Sequence, residues 1–224
     1  MAEKQVAGPS VNPADRGSFV GLLKLALLKQ LQNTDDMLPA QVIAYDRASN
    51  RASVQPLVYV ISTDNRRIKR ASIASVPVLQ LGGGGFLLSF PIQPGDLGWI
   101  KANDRDISNF KASLKMATPQ TYRKHTFEDA MFIPDTMMKG VTLADNDGVC
   151  LQSLDGSVSV VLKSGKVIIN APEIEINGEN KITLTGDEIE FDSPNINAGG
   201  VRFDTHVHTD VQPGAGESGP PTNP

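Results

Sequence analysis

The chain has 224 residues, 40% of them hydrophobic and 21% charged, with a formal net charge of −4. That length suits one large domain or two small ones, each able to bury a core. The mild acidity argues against a nucleic-acid-binding surface, which needs clustered Lys and Arg. The single cysteine, Cys150, excludes an internal disulfide framework.

The opening stretch, "MAEKQVAGPSVNPADRG", lacks the charged-then-apolar order of a signal peptide, so none is expected. From Gly17 to Asn33, "GSFVGLLKLALLKQLQN" predicts an amphipathic helix capped by Asp15 or Ser18. It is too short to span a bilayer and carries Lys24 and Lys29. Docking on its own protein or on a neighbour is expected in preference to lying on a membrane surface.

Residues 37–140 carry strand-like runs: "LPAQVIAYDRASNRASVQPLVYV", "ASVPVLQL", "GFLLSFPIQPGD" and "LGWIKANDRDISNF". Turn formers separate them, so five strands of a small Greek-key barrel of the OB type are expected. The run Gly82 to Gly85 is followed by Phe86-Leu87-Leu88 and not by the Lys and Ser/Thr of a phosphate loop. It reads as a hairpin connection. His125, in "TYRKHTFEDA", has Glu128 and Asp129 near enough in sequence to form an acid/base pair. With no nucleophile or second ligand in view, a structural histidine is the better reading, and Cys150 reads as a half-buried thiol for the same reason.

After Gly140 the pattern changes. Apolar pairs separated by one residue recur: Val160/Leu162, Val167/Ile169, Ile174/Ile176, Ile182/Leu184, Ile189/Phe191 and Ile196/Ala198. Their starts fall seven or eight residues apart, with turn formers such as Ser164-Gly165 and Asn177-Gly178 between them. This is an internal repeat of short strand plus turn. A heptad coiled coil is excluded, because the apolar spacing is i, i+2 and every unit carries Gly, Pro or Asn.

A unit with two inward side chains offers roughly 2–4 kcal/mol of burial against an ordering cost of roughly 1–2 kcal/mol per residue. It must stack on something. A single-chain parallel β-helix takes about twenty residues per coil, too many for this segment. Three identical chains wound about one axis, each unit forming one face of a prism, solve the problem. The expectation for 141–203 is therefore an intertwined trimeric β-helix. Outward residues such as Glu173, Glu175, Glu188 and Glu190 then form a solvated face and not the paired acids of a glycosidase.

The segment 204–224 holds His206 and His208, with sixteen residues after them. At i, i+2 on a strand, both imidazoles leave the same face. Two ligands hold a metal weakly, but three chains about an axis supply six, an octahedral set suited to Fe(II) or Ni(II) more than to zinc. Such a site is coordinatively closed, hence structural. An unbroken strand from Val201 to Thr209 would put the histidines on the face of Arg202 and Asp204, so a turn near Asp204 or Thr205 is expected.

The terminal "HVHTDVQPGAGESGPP", the short β-helix repeats before it and the small barrel together resemble the central membrane-puncturing baseplate spike of contractile-tailed, Mu-like and related phages. Within the barrel, "ASVQPLV", "SVPVLQLGGGGFLLSFPIQPGDLGWI", "DRDISNF" and "RKHTFEDAMFIP" carry the resemblance. Over Met37 to Pro224 it implies a mainly β homotrimer: an OB-fold barrel over 37–140, a triple-stranded β-helix over 141–203 and a metal-binding apex over 204–224; the N-terminal helical segment over 1–36 is read from its own residues. It further implies one iron ion per trimer in six histidines, His206 and His208 of each chain. The barrel would seat on the baseplate hub or tail tube, and the tip would breach the host outer membrane. No lysozyme domain fits between barrel and needle, so a non-enzymatic virion component is expected, with no nucleic acid and no small-molecule substrate. The competing classes are a β-helical tail enzyme that degrades surface polysaccharide and a receptor-binding tail tip.

Overall fold

A computed structural model describes residues 17–32, 34–62, 65–193, 195–199, 201–202 and 214. The chain divides into two compact units after Pro172.

The first unit begins with helix α1, Phe19–Gln32. Ser18 starts it as expected: the Gly21 N–H donates to Ser18 Oγ at 3.0 Å, and the Leu22 N–H to the Ser18 carbonyl at 3.0 Å. The chain then runs through β1 (Met37–Asp46) and β2 (Arg51–Pro56), followed by the two-residue strands β3 (Val60–Ile61) and β4 (Arg67–Ile68). Next come β5 (Ile73–Pro77), β6 (Leu81–Gly83), β7 (Phe86–Leu88) and β8 (Leu97–Asn103). A short helix α2 (Ser108–Ser113) precedes β9 (Thr126–Pro134).

Five of these strands form one antiparallel sheet in the order β5-β2-β1-β8-β9. A parallel bridge from Val78, just past β5, to Phe132 of β9 brings the two edges together. The sheet is thus a nearly closed barrel, and its strand order agrees with the OB type. Strict alternation shapes the interior: on β2, Ala52, Val54 and Pro56 point inward, and on β8, Gly98, Ile100 and Ala102 do so. Ala52, Val54, Ile100 and Ala102 join Val42, Val76, Phe127 and Phe132 in one core. Gly98 is a close-approach position, since a Cβ there would lie 2.3 Å from the Ile133 carbonyl oxygen and 2.5 Å from Phe132 Cζ.

One sequence expectation is corrected within the barrel. The run "GFLLSFPIQPGD" supplies no barrel strand; Phe86–Leu88 pairs only with Leu81–Gly83 in a separate hairpin. Three residues beside four glycines are too few to span the sheet. The fifth barrel strand is β9, whose bulged register against β8 obscures its alternation. The glycine run does turn the β6–β7 hairpin, with Gly84 and Gly85 at φ +60° and +86°.

Beyond the barrel, β10 (Val149–Gln152), β11 (Ser159–Lys163) and β12 (Lys166–Asn170) form a three-stranded antiparallel sheet. Val160 pairs with Ile169 and Leu162 with Val167 across the turn Ser164-Gly165. The first two repeat units therefore pair with each other as a hairpin, where each was expected to pair only with other chains. A two-residue loop with Gly165 at φ +74° makes the local pairing short and accessible.

In the second unit, the stretch from Glu173 to Asp192 contains no strand paired within the chain. Strands β13 (Asn197–Ala198) and β14 (Val201–Arg202) then form a small hairpin, with Gly199 at φ +59°.

Candidate functional site

The sheet β10–β12 has two unlike faces. Cross-strand neighbours share a face, so Val149, Leu162 and Val167 line up in one row and Leu151, Val160 and Ile169 in the next. This face is apolar and uncovered: only Val160 is half-buried and the other five are exposed. On the reverse face, Val161 and Ser159 are buried, and the Gly148 backbone packs so closely that a Cβ there would meet Val161 Cγ1 at 2.6 Å.

The same exposure continues through the repeat. In the second unit Ile174, Ile176, Ile182, Leu184, Ile189 and Phe191 are 47–67% exposed. The residues that the seven-residue spacing marks as inward-facing are thus uncovered in a single chain. Glu173, Glu175, Glu188 and Glu190 are exposed as well.

The polar groups of the barrel collect at the excursion between β8 and β9. Arg123 Nη2 lies 3.3 Å from both Asp106 Oδ2 and Asp129 Oδ2, and Nη1 lies 2.5 Å from Glu128 Oε2. Asp106 is buried and accepts hydrogen bonds from the Ser108 hydroxyl (2.6 Å), the Ser108 N–H (2.9 Å) and the Thr121 hydroxyl (2.7 Å). These bonds, the Ser108 hydroxyl foremost, with the Arg123 charge, hold its carboxyl far below the usual carboxylate range. The buried Asp129 Oδ2 has no aligned hydrogen bond and faces Arg123 through charge alone. The cluster clamps the α2 loop to β9. Only the Asp106-x-Ser108 spacing signals it in sequence, as a side chain bonding the backbone two residues on; Arg123 carries no local mark.

His125 does not meet Glu128 or Asp129, which Arg123 engages; its Nε2 lies 3.0 Å from Asp104 Oδ1. Cys150 is half-buried as expected, with Sγ 3.5 Å from the Asp145 carbonyl oxygen. An open groove of about 690 Å³ beside β5 and β9 is lined in part by Arg70, Arg123 and Phe127. Its two guanidiniums are already paired, Arg70 with Asp35 at 2.8 Å while lying 5.8 Å above the Phe127 ring. His206, His208 and the expected turn near Asp204 lie outside the described residues. Among the described residues no group of three or more His, Cys, Asp or Glu is placed to hold a metal.

Residues 38–135 match the family described as phage protein Gp138 N-terminal domain. The match coincides with the barrel and supports a phage protein of the tail or baseplate type. No curated protein matches the chain.

Proposed function

We propose that the chain is a non-enzymatic structural spike at the tip of a contractile phage tail, a homotrimer that pierces the host outer membrane during DNA delivery. One observation carries the reading. Of the ten apolar residues in the repeat pairs from Val160 to Phe191, nine are exposed and Val160 is half-buried. Half-burying such side chains is worth about 1–1.5 kcal/mol each, so roughly 10–15 kcal/mol per chain is at stake. That equals the net stability of a whole domain. Winding three copies about one axis covers these residues, and strands that lack partners within a chain find them in its neighbours.

Interchain strand pairing also suits the task, since it resists splaying under the thrust of sheath contraction. At the apex, His206 and His208 of three chains supply six neutral nitrogens, a donor set that fits one iron ion and closes its coordination sphere. The ion ties three chain ends together at the point. The barrel seats the spike on the baseplate hub or tail tube; the phage family matched by residues 38–135 supports a tail or baseplate component and leaves the seat itself a proposal.

Removing the last thirty residues tests the reading in phage particles. A puncturing spike still lets the particle adsorb but stops DNA delivery. Loss of adsorption would favour a receptor-binding tip, and loss of polysaccharide clearance a tail enzyme.

A further inference from the structure

Among the described residues helix α1 leaves most of its apolar side chains exposed, with Gly21 buried and Leu25 half-buried on the side away from the stripe described below. Phe19, Val20, Leu22, Leu23, Leu27, Leu28 and Leu31 are all 53–81% exposed. No helix is long and apolar enough to cross a membrane among the described residues. Fourteen residues are also near the lower limit for a helix that stands alone in water.

Five of these side chains fall on one stripe. Val20, Leu23 and Leu27 are spaced three and four residues apart, and Gln30 continues the series. That is an a-d-a-d seam. Phe19 and Leu31 flank it at the g and e positions, while Leu22 and Leu28 lie on the outer side. We infer that α1 forms a parallel three-helix bundle with the α1 helices of two further copies of this chain, a second trimer contact separate from the needle. The inference rests on the trimeric assembly proposed above.

Area decides why the occupant is the same chain and why the bundle depends on the assembly. The stripe presents on the order of 500 Å² of apolar surface per chain, short of the ~800 Å² each partner gives a free-standing interface. It therefore closes only between helices already held together, where tethering raises the effective concentration to the millimolar range. The tether is short: four residues separate Gln32 from Met37. Two of those four are fastened to the barrel, Asp35 to Arg70 and Asp36 to Lys101. Gln30 in the seam is a polar core position of the kind that fixes register.

The test uses the full-length chain with Cys150→Ser, which removes the sole native thiol. Leu23→Cys places a thiol in the seam, and Leu22→Cys places one on the outer side as the control. Both are oxidised under mild conditions, and mass is measured by light scattering in parallel. The bundle predicts that Leu23→Cys cross-links at least tenfold faster than Leu22→Cys. It also predicts saturation with two of every three chains joined, because a trimer leaves one thiol over. A three-chain mass without that preference overturns the bundle alone and assigns the helix to another partner. A single-chain mass overturns both the bundle and the assembly it rests on.

Discussion

Leu162 and Val167 sit directly opposite each other across the β11–β12 hairpin, on the same face, and 50% and 62% of their surfaces remain exposed. Their strand neighbour Val161, on the other face, is 2% exposed. One side of this small sheet is finished by the chain itself and the other is left open. Together with the four other apolar residues of that face, this uncovered pair fits the trimeric assembly proposed above.

Charge placed on that open face should break the assembly. Leu162→Asp with Val167→Asp loses the remaining burial of two half-exposed side chains, about 1–1.5 kcal/mol each, and repeats the loss in every chain. The trimer mass should fall toward that of a single chain in light scattering, while the barrel continues to unfold cooperatively. An unchanged mass would mean that this face is not an interchain contact.

The Arg123 clamp makes a prediction about the barrel alone. Arg123→Met leaves Asp106 and Asp129 buried without their cation. Removing one partner of a buried pair is destabilising, and the loss is smaller than for a fully buried pair because the Arg123 side chain is 38% exposed, so the variant should unfold at a lower denaturant concentration than the wild type. Trp99 is the only tryptophan, and its indole N–H donates to Asp135 at 2.7 Å, so its fluorescence reports barrel unfolding. An unchanged unfolding midpoint would mean that the clamp contributes little.

Acid should weaken the same region. The Asp106 carboxyl is held far down by the hydroxyls and N–H that bond it, and Asp135 is lowered by the Met137 N–H first and then by the Trp99 indole. A carboxyl whose folded pKa is depressed contributes stability in full above its unfolded value of about 4, and that contribution is lost as pH falls through the folded value. The Trp99 melting temperature should therefore hold from pH 7 to 5 and drop below pH 4. Asp106→Asn should be the less stable at pH 7, with the gap narrowing in acid. A gap that widened in acid would contradict the assignment.

Gly98→Ala tests the barrel wall. The added Cβ meets a backbone oxygen at 2.3 Å, which cannot rotate away. Overpacking of this kind costs about 1–3 kcal/mol, and the upper end is expected. Wild-type stability by Trp99 fluorescence would show that β8 and β9 separate easily.

Features governed by neighbouring residues were legible in the sequence. Ser18 as a helix cap, the Gly82–Gly85 hairpin and the half-buried Cys150 all follow from local chemistry, and the structure has each of them. The apolar pairs were legible as a repeat because turn formers fall between them at regular intervals. What depends on distant partners was hidden. Strand β9 carries a bulge that breaks its alternation, so it did not read as the fifth barrel strand. Arg123 meets Asp106, 17 positions earlier, and His125 meets Asp104 instead of the acids that follow it, because the α2 loop folds back on itself. The local pairing of the first two repeat units was missed for a different reason: an i, i+2 pattern does not say whether the next strand belongs to the same chain.

At the chain end, His206→Ala with His208→Ala should abolish bound iron and leave three chains assembled, since the repeat pairs supply most of the proposed burial. Collapse to single chains would instead make the histidines the main clasp.

The most direct test of the whole account is mass and metal content measured on one purified sample. Light scattering should give three times the 24.0 kDa chain mass, and elemental analysis one iron for every three chains. A single-chain mass without iron would contradict the proposed spike.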